Sequence, residues 1–135
     1  MKKYILIAIA IFATGPLLQS CDPTYSISVS NQTSDQISVI AYTNASFHAD
    51  ETVQIHPRPD DPDWVAFNIN PGSTVQCGMA IGGLWDDLPF TQLIIYTPQD
   101  TITAKNTNEV FALFDWDSSG DLKIPYQITI AKAAP

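Results

Sequence analysis

The sequence predicts one antiparallel β-sandwich, immunoglobulin-like, with at most one short helix. Three observations carry this. Apolar and polar residues alternate in short segments, and turn residues separate those segments at intervals of roughly 8–15 positions. Asn70-Pro71-Gly72 is a strong turn signal between two of the segments. One stretch alone, near residues 107–114, has its apolar residues at helical spacing.

The elements follow in order. Tyr25, Ile27 and Val29 alternate with Ser26, Ser28 and Ser30, giving a strand with one apolar and one polar face. Residues 31–35 (NQTSD) form a turn cluster. Ile37, Val39 and Ala41 then line one face of a second strand, with Ile40 and Tyr42 opposite, so the two strands read as a hairpin. Further strands are expected at residues 52–56, 64–68, 73–79, 91–97 and 126–131. In the fourth of these, Leu93 and Ile95 back onto Ile94 and Tyr96, which suggests cover on both sides. Gly82-Gly83 and residues 85–89 make a longer loop. Asn106 and Glu109 have the spacing of a helix N-cap and its reciprocal partner. Val110, Phe111, Leu113 and Phe114 follow on one helical face. Pro125 has no N–H for a ladder, so the last strand starts at or after Tyr126. The expected core is Ile27, Val29, Ile37, Val39, Val53, Phe67, Val75, Cys77, Leu93, Ile95, Phe114, Ile128 and Ile130.

The chain opens with Lys2 and Lys3, then an apolar run over residues 4–13 that has signal-peptide length and is too short to span a bilayer. Leu18-Gln19-Ser20-Cys21 follows, and it resembles the lipobox of bacterial lipoproteins, with Gln19 where small residues are usual. The resemblance implies cleavage before Cys21, lipid on its sulfur and an acylated amino terminus. Residues 1–20 thus read as the signal peptide, 21–23 as the lipidated start and a short tether, and 24–135 as the domain. Acyl chains contribute about 0.8 kcal/mol per buried CH₂, so two or three of them hold a protein firmly to a membrane. The expected location is the cell envelope, lipid-anchored in the outer membrane, periplasmic or surface-exposed. Asp22 resembles an inner-membrane retention signal of enterobacteria, whereas acidic residues just after the cysteine resemble surface-export signals of Bacteroidetes. Asp100-Thr101-Ile102 resembles the O-glycosylation pattern of that second group, with Thr101 as acceptor. Residues 100–129 are similar to the C-terminal part of small Bacteroidetes lipoproteins, a likeness that brings no activity with it.

Without residues 1–20 the chain keeps fourteen acidic residues against four basic ones, a net charge of about −10. No basic patch exists for phosphate, so nucleic acid is not an expected partner. With Cys21 lipidated, Cys77 is the one remaining thiol, and packing rather than disulfides must hold the domain.

Candidate chemistry is sparse. Asp115, Asp117 and Ser119 stand at positions 1, 3 and 5 before Gly120, the opening of a calcium loop, but Tyr126 occupies the twelfth position where a bidentate Glu is required. A looser cation site on those three side chains is the surviving form of that idea. Cys77 alternates with Val75 and Met79 and reads as core, not nucleophile. His48 and His56 have no zinc spacing. Residues 57–63 read as a proline-stiffened acidic loop. No nucleophile–base pair, phosphate loop or cofactor fingerprint appears, so a non-catalytic binding or accessory module with no cofactor is expected. The rival is a structural envelope protein without a ligand.

The unusual feature is that every tryptophan has an aspartate neighbour: Asp63-Trp64, Trp85-Asp86 and Trp116-Asp117. An aromatic face that stacks on a sugar ring, beside a carboxylate that accepts hydroxyl hydrogen bonds, is carbohydrate-binding chemistry. Trp64, Trp85, Asp86, Trp116 and Asp117 are the candidate glycan-binding residues, and the expected partner beyond the membrane is a protein or a glycan.

Overall fold

The computed structural model describes residues 22–131. Eight strands and one helix succeed one another: β1 (Thr24–Asn31), β2 (Ile37–Thr43), β3 (His56–Arg58), β4 (Asp61–Ile69), β5 (Thr74–Ile81), β6 (Phe90–Tyr96), β7 (Thr101–Ala104), α1 (Thr107–Ala112) and β8 (Tyr126–Ile130). They form two sheets, one ordered β5-β1-β8 and the other β3-β4-β2-β6-β7. All pairings are antiparallel except β1 with β8. The inner faces share one buried cluster. Ile27, Val29, Val75, Ile128 and Ile130 come from the smaller sheet, and Ile37, Val39, Phe67, Leu93 and Ile95 from the larger.

The expected hairpin between the first two strands does not form. β1 lies in the three-stranded sheet and β2 in the five-stranded one. The turn cluster between them is a crossover built around Asn31, whose side chain is fully buried. Asn31 Nδ2 donates to Asp35 O at 2.7 Å and to Ile69 O at 3.0 Å. Its Oδ1 accepts from Thr33 N at 3.0 Å and Thr33 Oγ1 at 2.7 Å. The backbone of Asn31 also joins the turn after β4, through Ser73 O and Gly72 N. Gly72 has φ 71°, the left-handed conformation that a turn at Asn70-Pro71-Gly72 demands of glycine.

Strand faces depart from simple alternation twice. Ser28 and Ser30 are buried although they point away from the core, because they sit on the central strand between Gln76 and Gln127 and between Thr74 and Thr129. In β5 a bulge at the register step between Ile27 and Ser28 leaves Cys77 without a β1 partner. The extra residue resets the phase. Cys77, Gly78 and Ala80 are buried as a result, and Met79 is 51 % exposed.

The expected strand at residues 52–56 is mostly irregular; only His56 belongs to β3. The long β2–β3 connection runs along the outer edge of β5 instead. His48 N donates to Cys77 O at 2.8 Å and Asp50 N to Gln76 O at 3.2 Å. A Cβ on Gly78 would stand 2.9 Å from Ser46 O, so glycine permits this close approach. Phe47 plugs the crossing, with ring centroids 6.4 Å from Phe67 and 6.0 Å from Phe90. Val53 is therefore half-buried at the margin of the core rather than within it. Residues 57–63 are not a free loop but the tight β3–β4 hairpin, with Arg58 paired to Asp61 in the ladder.

Candidate functional site

The segments that carry Trp85, Phe111 and Trp116 meet in one cluster of rings. Trp85 stands on the β5–β6 loop. Leu84 and Leu88, both buried, fasten that loop to the core, and Asp87 Oδ2 accepts from Ile81 N at 2.6 Å to close its base. Trp85 between those anchors is left 53 % exposed.

Helix α1 supplies the middle member. Asn106 caps it, its Oδ1 accepting from Glu109 N at 3.0 Å, and Glu109 Oε2 accepts in return from Lys105 N at 2.7 Å. Val110 and Phe114 turn into the core, while Phe111 is only half-buried and faces the two tryptophans.

Trp116 sits on a small hairpin that leads into β8. Trp116 bridges to Leu122, Asp117 N donates to Asp121 O at 2.8 Å, and Asp115 N ties the hairpin to Gln127 O at 2.8 Å. Trp116 is 41 % exposed.

The three rings form a ledge. Phe111 lies 5.0 Å from Trp85 with planes at 76°, and 5.4 Å from Trp116 with planes at 72°, both edge-to-face. The two indole centroids are therefore at most 10.4 Å apart. Phe111 shares the helical spacing of Val110, Leu113 and Phe114 but lies at the margin of the core. Its neighbour Val110 faces the core, and adjacent helical positions diverge too far for both to do so.

Trp64 stands elsewhere, on the outer face of the larger sheet, packed against Tyr42 at 5.2 Å. Beside it runs a shallow groove of about 490 Å³ lined by Ile40, Ala66, Ile94, His56 and Arg58. Ile40 and Ile94 are register partners here, and no described element covers this face. Arg58 pairs with Asp60 at 2.8 Å, and both side chains are exposed.

The would-be cation ligands face different ways. Asp115 Oδ2 accepts from Thr129 Oγ1 on β8. Asp117 Oδ1 turns into its own loop and accepts from Ser119 N at 2.9 Å, Ser119 Oγ at 2.7 Å and Asp121 N at 3.0 Å. The Ser119 hydroxyl and these backbone amides hold the Asp117 carboxyl below its usual value of 3.8. Among the described residues, no group of three or more His, Cys, Asp and Glu side chains is placed to hold a metal ion.

Cys77 is fully buried, its Sγ donates to Val75 O at 3.5 Å, and burial pushes its thiol up to about 12. His48 touches its backbone, not its sulfur. Thr101 opens β7 and is exposed, and its N–H donates to Asp100 Oδ1 at 2.7 Å. Cys21 lies outside the described residues. Comparison with known proteins finds no matching family, no matching curated sequence and no matching solved structure.

Proposed function

We propose that this chain is an exported lipoprotein, held at the cell envelope in the outer membrane by lipid on Cys21, whose sandwich domain binds carbohydrate without performing chemistry on it. The observation that carries the binding reading is that two tryptophans from separate segments, both substantially exposed, pack edge-to-face on one phenylalanine. Loops on a rigid scaffold are where recognition residues concentrate, and tryptophan presents a large rigid face there. Phe111 braces both rings, so the platform is stiff before any ligand arrives and loses little freedom on binding. Indoles no more than 10.4 Å apart are within reach of one short oligosaccharide. Asp86, exposed and next to Trp85 in the chain, supplies an acceptor for sugar hydroxyls. The buried, high-pKa thiol of Cys77 supports a non-catalytic role for the one described cysteine.

A glycan array probed with the wild-type domain and with the Trp85→Ala, Trp116→Ala double variant tests the reading. Binding by the wild type alone is expected; no binding by either, or equal binding by both, refutes it. The anchor is tested separately. Wild type and Cys21→Ala are expressed in a Gram-negative host with radioactive palmitate, and equal labelling of the two ends that part of the reading.

A further inference from the structure

If the ledge binds carbohydrate, the chemistry around its rings narrows the class of sugar. Its segments carry six carboxylates, Asp86, Asp87, Glu109, Asp115, Asp117 and Asp121, against two cations, Lys105 and Lys123. Most of the six already have structural work. Asp87 closes its loop, Glu109 caps α1, Asp115 holds Thr129 and Asp117 holds its own turn. Asp86 differs: it follows Trp85 directly, is exposed, and makes no side-chain hydrogen bond among the described residues. An unspent carboxylate beside an exposed indole is a pairing that attracts a cation twice, through its charge and through the electron-rich ring face.

We propose that the ledge selects glycans carrying free amino groups, with an ammonium seated against the Trp85 or Trp116 face and paired with Asp86. A neutral sugar stacks on the same rings but gains neither contribution. A uronic or sulfated sugar meets carboxylates where it needs cations.

The test uses soluble hexamers of glucosamine, N-acetylglucosamine and galacturonic acid, titrated into the wild-type domain at a pH where the amines are protonated. Quenching of tryptophan fluorescence reports binding. The glucosamine hexamer should bind about fivefold more tightly than its N-acetylated counterpart, the size expected of an exposed cation–π contact with a surface ion pair. The galacturonate hexamer should not bind. Asp86→Asn should cut the preference for the glucosamine hexamer from about fivefold to about twofold, the part that the ring face alone supplies. Equal or tighter binding of the N-acetylated or acidic hexamer by the wild type, or an unaltered preference in Asp86→Asn, overturns the inference and leaves carbohydrate binding standing. Failure of every hexamer and of the wider array overturns both. Asp86→Asn removes no described contact, so loss of folding does not blur the result.

Discussion

Asn31→Ala should be among the most damaging single changes in this domain. The side chain is fully buried and makes four hydrogen bonds, two donated and two accepted. Truncation leaves the Ile69 carbonyl and the Thr33 N–H short of a partner. The Asp35 carbonyl is relieved, because the Thr33 hydroxyl 2.9 Å away is free to give it its one proton once Asn31 Oδ1 is gone. An orphaned buried polar group costs about 1–3 kcal/mol. Water reaching the outer part of the turn relieves some of this, so a loss of about 3 kcal/mol is expected. For a domain of this size 1 kcal/mol corresponds to about 4 °C, which places the midpoint about 12 °C lower. Asn31→Asp should be no better, because its second oxygen would face the two carbonyls that now accept from Nδ2. Thermal and urea unfolding of the three proteins, followed by circular dichroism, measures both differences. A loss under 1 kcal/mol in Asn31→Ala, or full stability in Asn31→Asp, would show that the crossover does not depend on this amide.

Three further outcomes are expected. Phe111→Ala should cost about 2 kcal/mol, roughly half of a fully buried Phe truncation, and shift tryptophan emission to the red as both indoles lose their brace; unchanged emission would mean the ledge stands without it. Cys77 should resist a thiol reagent until the domain unfolds. Its folded pKa of about 12 lies above the usual 9.0, so its contribution to stability is complete below about pH 9 and is lost as pH rises toward 12; a Cys77→Ala variant with the same slope across that window would contradict this. Asp117 has the opposite sign. Its lowered pKa stabilises the turn above the usual 3.8, and that contribution fades as pH falls below it; a carboxyl titration by NMR at or above 3.8 would refute the assignment.

The core was legible residue by residue, and the topology was not. Twelve of the thirteen expected core positions are buried, Val53 being half-exposed. Alternation states which face of a strand is apolar, and burial follows from that alone. It does not state which strand lies alongside, so β1 and β2 looked like a hairpin although Asn31 and Thr33 bury their side chains to carry the chain across to the other sheet. Met79 was mis-phased because a bulge leaves no mark in composition. β3 and β7 are too short to show alternation. The helix was legible through its cap, since Asn106 and Glu109 act locally. At the candidate site the tryptophans and their aspartates could be named, but not grouped. Trp85 and Trp116 meet through Phe111, which lies on a third segment, while Trp64 stands apart on β4 of the larger sheet. Contacts of that kind exist only after the chain has folded.

The loop pressed against β5 has a consequence for molecules held side by side on a surface. Unpaired strand edges are where one β protein adds to the next and begins to aggregate. In the smaller sheet, residues 46–50 occupy the flank of β5, and Asp115 takes a carbonyl on the flank of β8. In the larger sheet the outer strands span three and four residues, and the first holds a proline. Neighbouring copies, however densely they are gathered, find no long bare rim to extend. Gly78 therefore contributes to keeping crowded molecules separate, because any side chain there would push Ser46 outward and lift the shield from β5.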